Sequence, residues 1–69
     1  EKNSIIDFTP REKEILLLIK SGMVSKEISN QLSISIHTVN KHRQNIMQKM
    51  NANNIIEAIE YARGLGLLD

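Results

Sequence analysis

The sequence has no cysteine and no tryptophan, and its 69 residues include one proline, three glycines, one phenylalanine and one tyrosine. Without cysteine there is neither a disulfide framework nor a cysteine-based zinc site, which fits a reducing compartment. No apolar run approaches the roughly 18–20 residues of a membrane span. No basic segment leading into an apolar one marks a secretory leader. Gly-rich phosphate loops, nucleophile elbows and paired carboxylates are also missing, so an enzyme is not expected. His37 and His42 stand five apart, which does not set two ligands on one helical face, and no acid lies between them. Neither a metal nor a cofactor is therefore expected. One domain of this length buries only about 60% of its unfolded surface, so its stability depends on economical helix packing. The chain opens on Glu1 rather than Met and is expected to be part of a longer protein.

The formal net charge is only +1, but it is unevenly spread. Over residues 1–27, Lys2, Arg11, Lys13, Lys20 and Lys26 balance Glu1, Asp7, Glu12, Glu14 and Glu27. Residues 28–56 carry Lys41, Arg43 and Lys49 and no acid. Residues 57–69 set Arg63 against Glu57, Glu60 and Asp69. One stretch is thus locally positive on a nearly neutral body, a solvated face at the least and an anion-binding surface at most.

Start and stop signals divide the chain into a linker over residues 1–7 and an all-α, four-helix domain over residues 8–69. Thr9-Pro10-Arg11-Glu12 supplies an N-cap, a proline at the first helical position and the acid of a capping box. Gly22 closes this first helix, and Ile15, Leu16, Leu18 and Ile19 form its apolar stripe. Phe8, just before the cap, suits a hydrophobic staple. Ser25 is read as the cap of a second helix, Lys26 to Leu32, with Ile28 and Leu32 inward. After Ser33-Ile34-Ser35, Ser35 caps a third helix reaching about Asn51. On a wheel of about 100° per residue, Val39, Ile46 and Met50 share one face. His37, Lys41, Gln44 and Gln48 share the opposite face, with Asn40 at its edge. Asn54 and Glu57 read as a capping box for a fourth helix that ends near Gly64, with Ile55, Ala58, Ile59 and Ala62 inward. The apolar tail Leu65, Leu67 and Leu68 suits either packing or a partner.

A short helix, a three-residue turn and a longer helix with an outward polar face is the plan of a helix-turn-helix. Periodicity alone makes this a weak signal. The wording is more specific. Phe8-Thr9-Pro10-Arg11-Glu12, Gly22, Ser25-Lys26-Glu27-Ile28, Ser35-Ile36-His37-Thr38-Val39, His42, Asn45-Ile46 and Lys49-Met50 resemble the DNA-binding domain of the LuxR/FixJ family of bacterial transcription regulators. The resemblance runs from Phe8 to about Ala62. It implies a cytoplasmic regulator whose third helix reads double-stranded DNA in the major groove and whose fourth often mediates dimerisation.

Carried over position by position, the resemblance places Asn40, Lys41 and Gln44 at base edges. The family often has Lys where this chain has Asn40, so a relative's target sequence does not transfer. The chemistry agrees, because Asn and Gln can pair with adenine and Lys can donate to guanine. Thr38, Asn45 and Lys49 share one flank of the wheel and suit phosphates. For Lys49, a pair with a first-helix acid is the competing reading. Ser35, Ser25 and Lys26 lie at helix N-termini, where free N–H groups favour anions, although capping alone explains both serines. Arg43 lies toward the core side and reaches a phosphate or covers apolar surface. His42 is read as structural. Ile56, Tyr61 and Leu65 are the expected dimer surface, with RNA polymerase a further candidate partner and no membrane contact. The competing function is a protein-interaction module that keeps the fold without touching DNA.

Overall fold

The computed structural model describes residues 7–68. Four helices follow one another, α1 (Pro10–Lys20), α2 (Ser25–Leu32), α3 (Ile36–Met50) and α4 (Ile55–Gly64), and no strand occurs among the described residues. Residues 1–6 of the expected linker lie outside the described residues. Asp7, also assigned to it, is tied to the domain: its carboxylate accepts from the Phe8 N–H at 2.8 Å and its carbonyl from Lys49 Nζ at 3.1 Å.

Helix α3 packs against each of the other three, and α1 also packs on α2. Ile15, Leu16, Ile28, Val39 and Ile46 are fully enclosed. Phe8, Met50, Ala58, Ile59, Ala62 and Leu68 complete the core. Full burial of each large aliphatic side chain stabilises the fold by about 1.5–3 kcal/mol. With α3 central, its Val39–Ile46–Met50 face is the surface on which the domain assembles, and its outer face is left over. Leu68 is core and Leu67 packs on it, whereas Leu65 is exposed, so the tail mostly packs.

All four helices end alike. The residue after the last turn is left-handed: Gly22 (φ 103°), Ser33 (57°), Asn51 (52°) and Gly66 (78°). The next residue sends its N–H back five positions: Met23 to Leu18, Ile34 to Ser29, Ala52 to Met47 and Leu67 to Ala62, at 2.9–3.1 Å. This Schellman closure satisfies carbonyls that would otherwise be orphaned. Met23, Ile34, Ala52 and Leu67 each pack against the core, so every stop also anchors the following loop. Gly22 serves here as expected, and α4 ends at Gly64 as expected, with Gly66 as the left-handed residue that follows.

The starts agree with expectation at three helices. Thr9, Ser35 and Asn54 accept from the N–H groups of Glu12, Thr38 and Glu57. The capping box of α1 is complete, since Glu12 Oε1 accepts from the Thr9 N–H at 3.0 Å. At α4 the reciprocal half is displaced by one residue, and Glu57 Oε1 takes the N–H of Asn53. At α2 the expected cap is corrected: Ser25 is the first helical residue and Val24 occupies the cap position. Valine has no side-chain acceptor, so only the returning bond exists, from the Val24 N–H to Glu27 Oε1 at 3.0 Å.

Candidate nucleic-acid interface

The register set by Val39, Ile46 and Met50 turns the other side of α3 outward. His37, Asn40, Lys41, Gln44 and Gln48 are all exposed. His37, Asn40, Lys41 and Gln44 line one shallow depression, and Gln44 also borders a second with Met47, Gln48, Asn51, Ala52 and Asn53. Thr38, Arg43 and Asn45 are half-buried along the flanks. The three expected base readers therefore sit together on one exposed surface.

Of the expected backbone-contact residues, Lys26 is exposed on α2 and Arg43 half-buried on α3; neither forms an ion pair among the described residues, nor does the exposed Lys41. Ser35 Oγ accepts from the Thr38 N–H at 3.0 Å, and the two hydroxyls lie 2.9 Å apart, so both are engaged within the cap of α3. The Ser25 hydroxyl donates to Asn40 Oδ1 at 3.0 Å, a link across the turn that sequence reasoning missed.

Lys49 is engaged within the domain. Its Nζ lies 2.5 Å from Glu12 Oε1 and also donates to the Asp7 carbonyl. It stands 5.9 Å from the centre of the Phe8 ring, within the range of a cation–π contact. The Glu12 carboxylate is 5% exposed. Burial pushes its pKa up, but the Lys49 hydrogen bond, the Thr9 N–H and the charges of Lys49 and His42 outweigh that and hold it below the usual value. Lys49 thus fastens the end of α3 to the start of α1. Of the two readings the sequence left open, the intramolecular pair is the one observed. His42 is half-buried beside the core, as expected of a structural residue, and its Nδ1 is buried without a partner.

Ile56, Tyr61 and Leu65, the expected dimer surface, are 71%, 46% and 61% exposed. No group of His, Asp or Glu suited to a metal ion occurs among the described residues. No described helix is long and apolar enough to cross a membrane.

A short helix, a left-handed turn at Ser33 and a longer helix with an exposed polar face together define a helix-turn-helix domain. The pattern of the family described as bacterial regulatory proteins, luxR family, matches residues 7–62. The chain belongs to that family, which is one of regulators and not an enzyme class. It is 48% identical over 59 residues to the oxygen regulatory protein NreC of Staphylococcus carnosus, covering 86% of this chain and 27% of NreC. The fold is similar to that of Escherichia coli SdiA, with TM-score 0.85 and 41% identity over 99% of this chain and 29% of SdiA. The structure of the transcription factor GerE gives TM-score 0.84 and 35% identity over 99% of this chain and 97% of GerE. A Vibrio cholerae VqmA–ligand–DNA complex gives TM-score 0.81 and 27% identity over 97% of this chain and 29% of VqmA. The chain spans well under half the length of the curated relatives it matches, 27% of NreC and 40% of the response regulatory protein YgeK of Escherichia coli.

Proposed function

We propose that this chain is the sequence-specific, double-stranded-DNA-binding output domain of a longer bacterial transcription regulator working in the cytoplasm. Helix α3 enters the major groove, with Asn40, Lys41 and Gln44 at base edges. Lys26, Ser35, Thr38, Arg43 and Asn45 flank them toward the phosphates. The observation that carries this reading is the two-sidedness of α3. Val39, Ile46 and Met50 are buried, while Asn40, Lys41 and Gln44 are exposed in a stretch without a single acid. Phosphate attraction gives such a helix non-specific affinity, and its outward amides and ammonium supply discrimination.

VqmA, similar in fold, has been solved with DNA. With so few free cations, one copy binds weakly. A second copy, joined through Ile56, Tyr61 and Leu65 of the α4 region, turns two weak contacts into one binding event. RNA polymerase is a further partner of the assembled regulator.

The test is selection of bound sites from a random duplex pool, followed by affinities of Lys41→Ala and Gln44→Ala. Both variants should weaken binding and relax the preference at separate base positions. Unchanged affinity and preference in both would contradict the assignment of α3 and favour a protein-interaction module.

A further inference from the structure

Among the described residues, one side-chain hydrogen bond joins α2 to α3, from the Ser25 hydroxyl to Asn40 Oδ1 at 3.0 Å. Ser25 is the first residue of α2 and not its cap, and no other bond to its hydroxyl is recorded. Its own helix therefore does not require that hydroxyl. Asn40 is exposed, on the outer face of α3 beside Lys41 and one turn from Gln44.

The terminal torsion of an asparagine is broad and roughly two-fold, so a free amide samples both orientations and exchanges its donor and acceptor. In the structure the Ser25 hydroxyl donates to Oδ1 and tethers the amide in one of these two orientations. It holds the oxygen toward α2 and leaves both hydrogens of Nδ2 and one lone pair of Oδ1 uncommitted. Adenine asks for one acceptor and one donor in a fixed order across N6 and N7. An amide held one way meets them, and the reversed amide sets donor against donor. We propose that Ser25 is a positioning residue for Asn40, fixing its amide and so shaping base preference without touching a base. This rests on the reading of Asn40 as a base contact, and it replaces the phosphate role that sequence alone suggested for Ser25.

The experiment compares the wild-type chain with Ser25→Ala, Ser25→Thr, Asn40→Ala and the Ser25→Ala/Asn40→Ala double variant. Each is measured at one salt concentration on a duplex selected by the wild type and on all single-base changes of it. Melting curves accompany every variant, and Ala at the first position of α2 removes no cap. Asn40→Ala is expected to flatten the preference at one base pair. Ser25→Ala should lower preference at that same pair by about fivefold, near the low end of what one bidentate contact supplies. Ser25→Thr, which keeps the hydroxyl, should restore it. In the Asn40→Ala background, Ser25→Ala should add nothing.

Uniform weakening of every duplex by Ser25→Ala, persisting when Asn40 is already alanine, would overturn the proposal in favour of a phosphate contact. Asn40→Ala leaving every base preference intact would overturn the base reading, and the proposal with it. The two failures are distinguishable because only the second involves Asn40 alone.

Discussion

Lys49 on the last turn of α3 reaches Glu12 on the first turn of α1, Nζ to Oε1, at 2.5 Å. The same Glu12 oxygen accepts from the Thr9 N–H, so one carboxylate both closes the start of α1 and holds the outer end of α3. Because α3 is the proposed reading helix, this pair ties its far end to the body of the domain. The carboxylate is buried and the lysine about one-third exposed, so water screens the pair only partly.

Removing Lys49 should therefore act on folding. Breaking a buried pair from one side costs roughly 3–5 kcal/mol. Discounted for the exposure of Lys49, Lys49→Met should destabilise by about 1–3 kcal/mol. Urea titration measures this directly. The salt dependence of DNA binding should change little, because the ammonium is already engaged.

The same pair predicts an acid limb. Glu12 has a folded pKa below its unfolded value, so its contribution is present above the unfolded pKa of about 4.3 and is lost as pH falls through the folded one. Stability of the wild type should drop across that window. Glu12→Gln should be less stable at neutral pH yet lose less on acidification. Parallel acid limbs for the two proteins in pH-dependent urea titrations would contradict the role given to Glu12.

Ser33 occupies the left-handed turn between α2 and α3 with φ 57°, a conformation that costs a side-chain-bearing residue more than glycine. Ser33→Gly should stabilise by about 0.5–1 kcal/mol, as the preference for glycine at such helix stops implies. For a domain of this size that raises Tm by about 2–8 °C. Calorimetry reads it, and DNA affinity should be unchanged.

Lys26, Lys41 and Arg43 are the free cations of α2 and α3. With Lys41 at base edges, Lys26 and Arg43 give two phosphate neutralisations and a log–log salt slope of about −2 per bound copy. Lys26→Ala should lower the magnitude by about one and weaken all sequences alike, whereas Lys41→Ala should also alter preference. Fluorescence anisotropy across a salt series separates the two.

Much of this was legible from short-range chemistry. Thr9, Ser35 and Asn54 cap as their types and spacing require, and the α3 wheel separated Val39, Ile46 and Met50 from Asn40, Lys41 and Gln44. By residue type Ser25 is the better cap, so the sequence places the start of α2 one residue late; the structure has Val24 as the cap. Glu27, three residues after Val24, was the signal for the true start, since the returning bond alone can close the first turn. The Ser25–Asn40 bond spans two helices and their turn, a relation set by the crossing of α2 over α3 and absent from either helix wheel. Sequence leaves Lys49 open between phosphate and acid for the same reason: the wheel gives its direction, but only packing supplies Glu12 as the neighbour.

The most direct measurement of the central claim is backbone amide NMR of the chain titrated with a duplex selected from a random pool. The account predicts shift changes concentrated on residues 35–48 and the first turn of α2, with Lys49 and the start of α1 nearly unmoved. Changes confined to α4 around Ile56, Tyr61 and Leu65, with α3 unaffected, would contradict it.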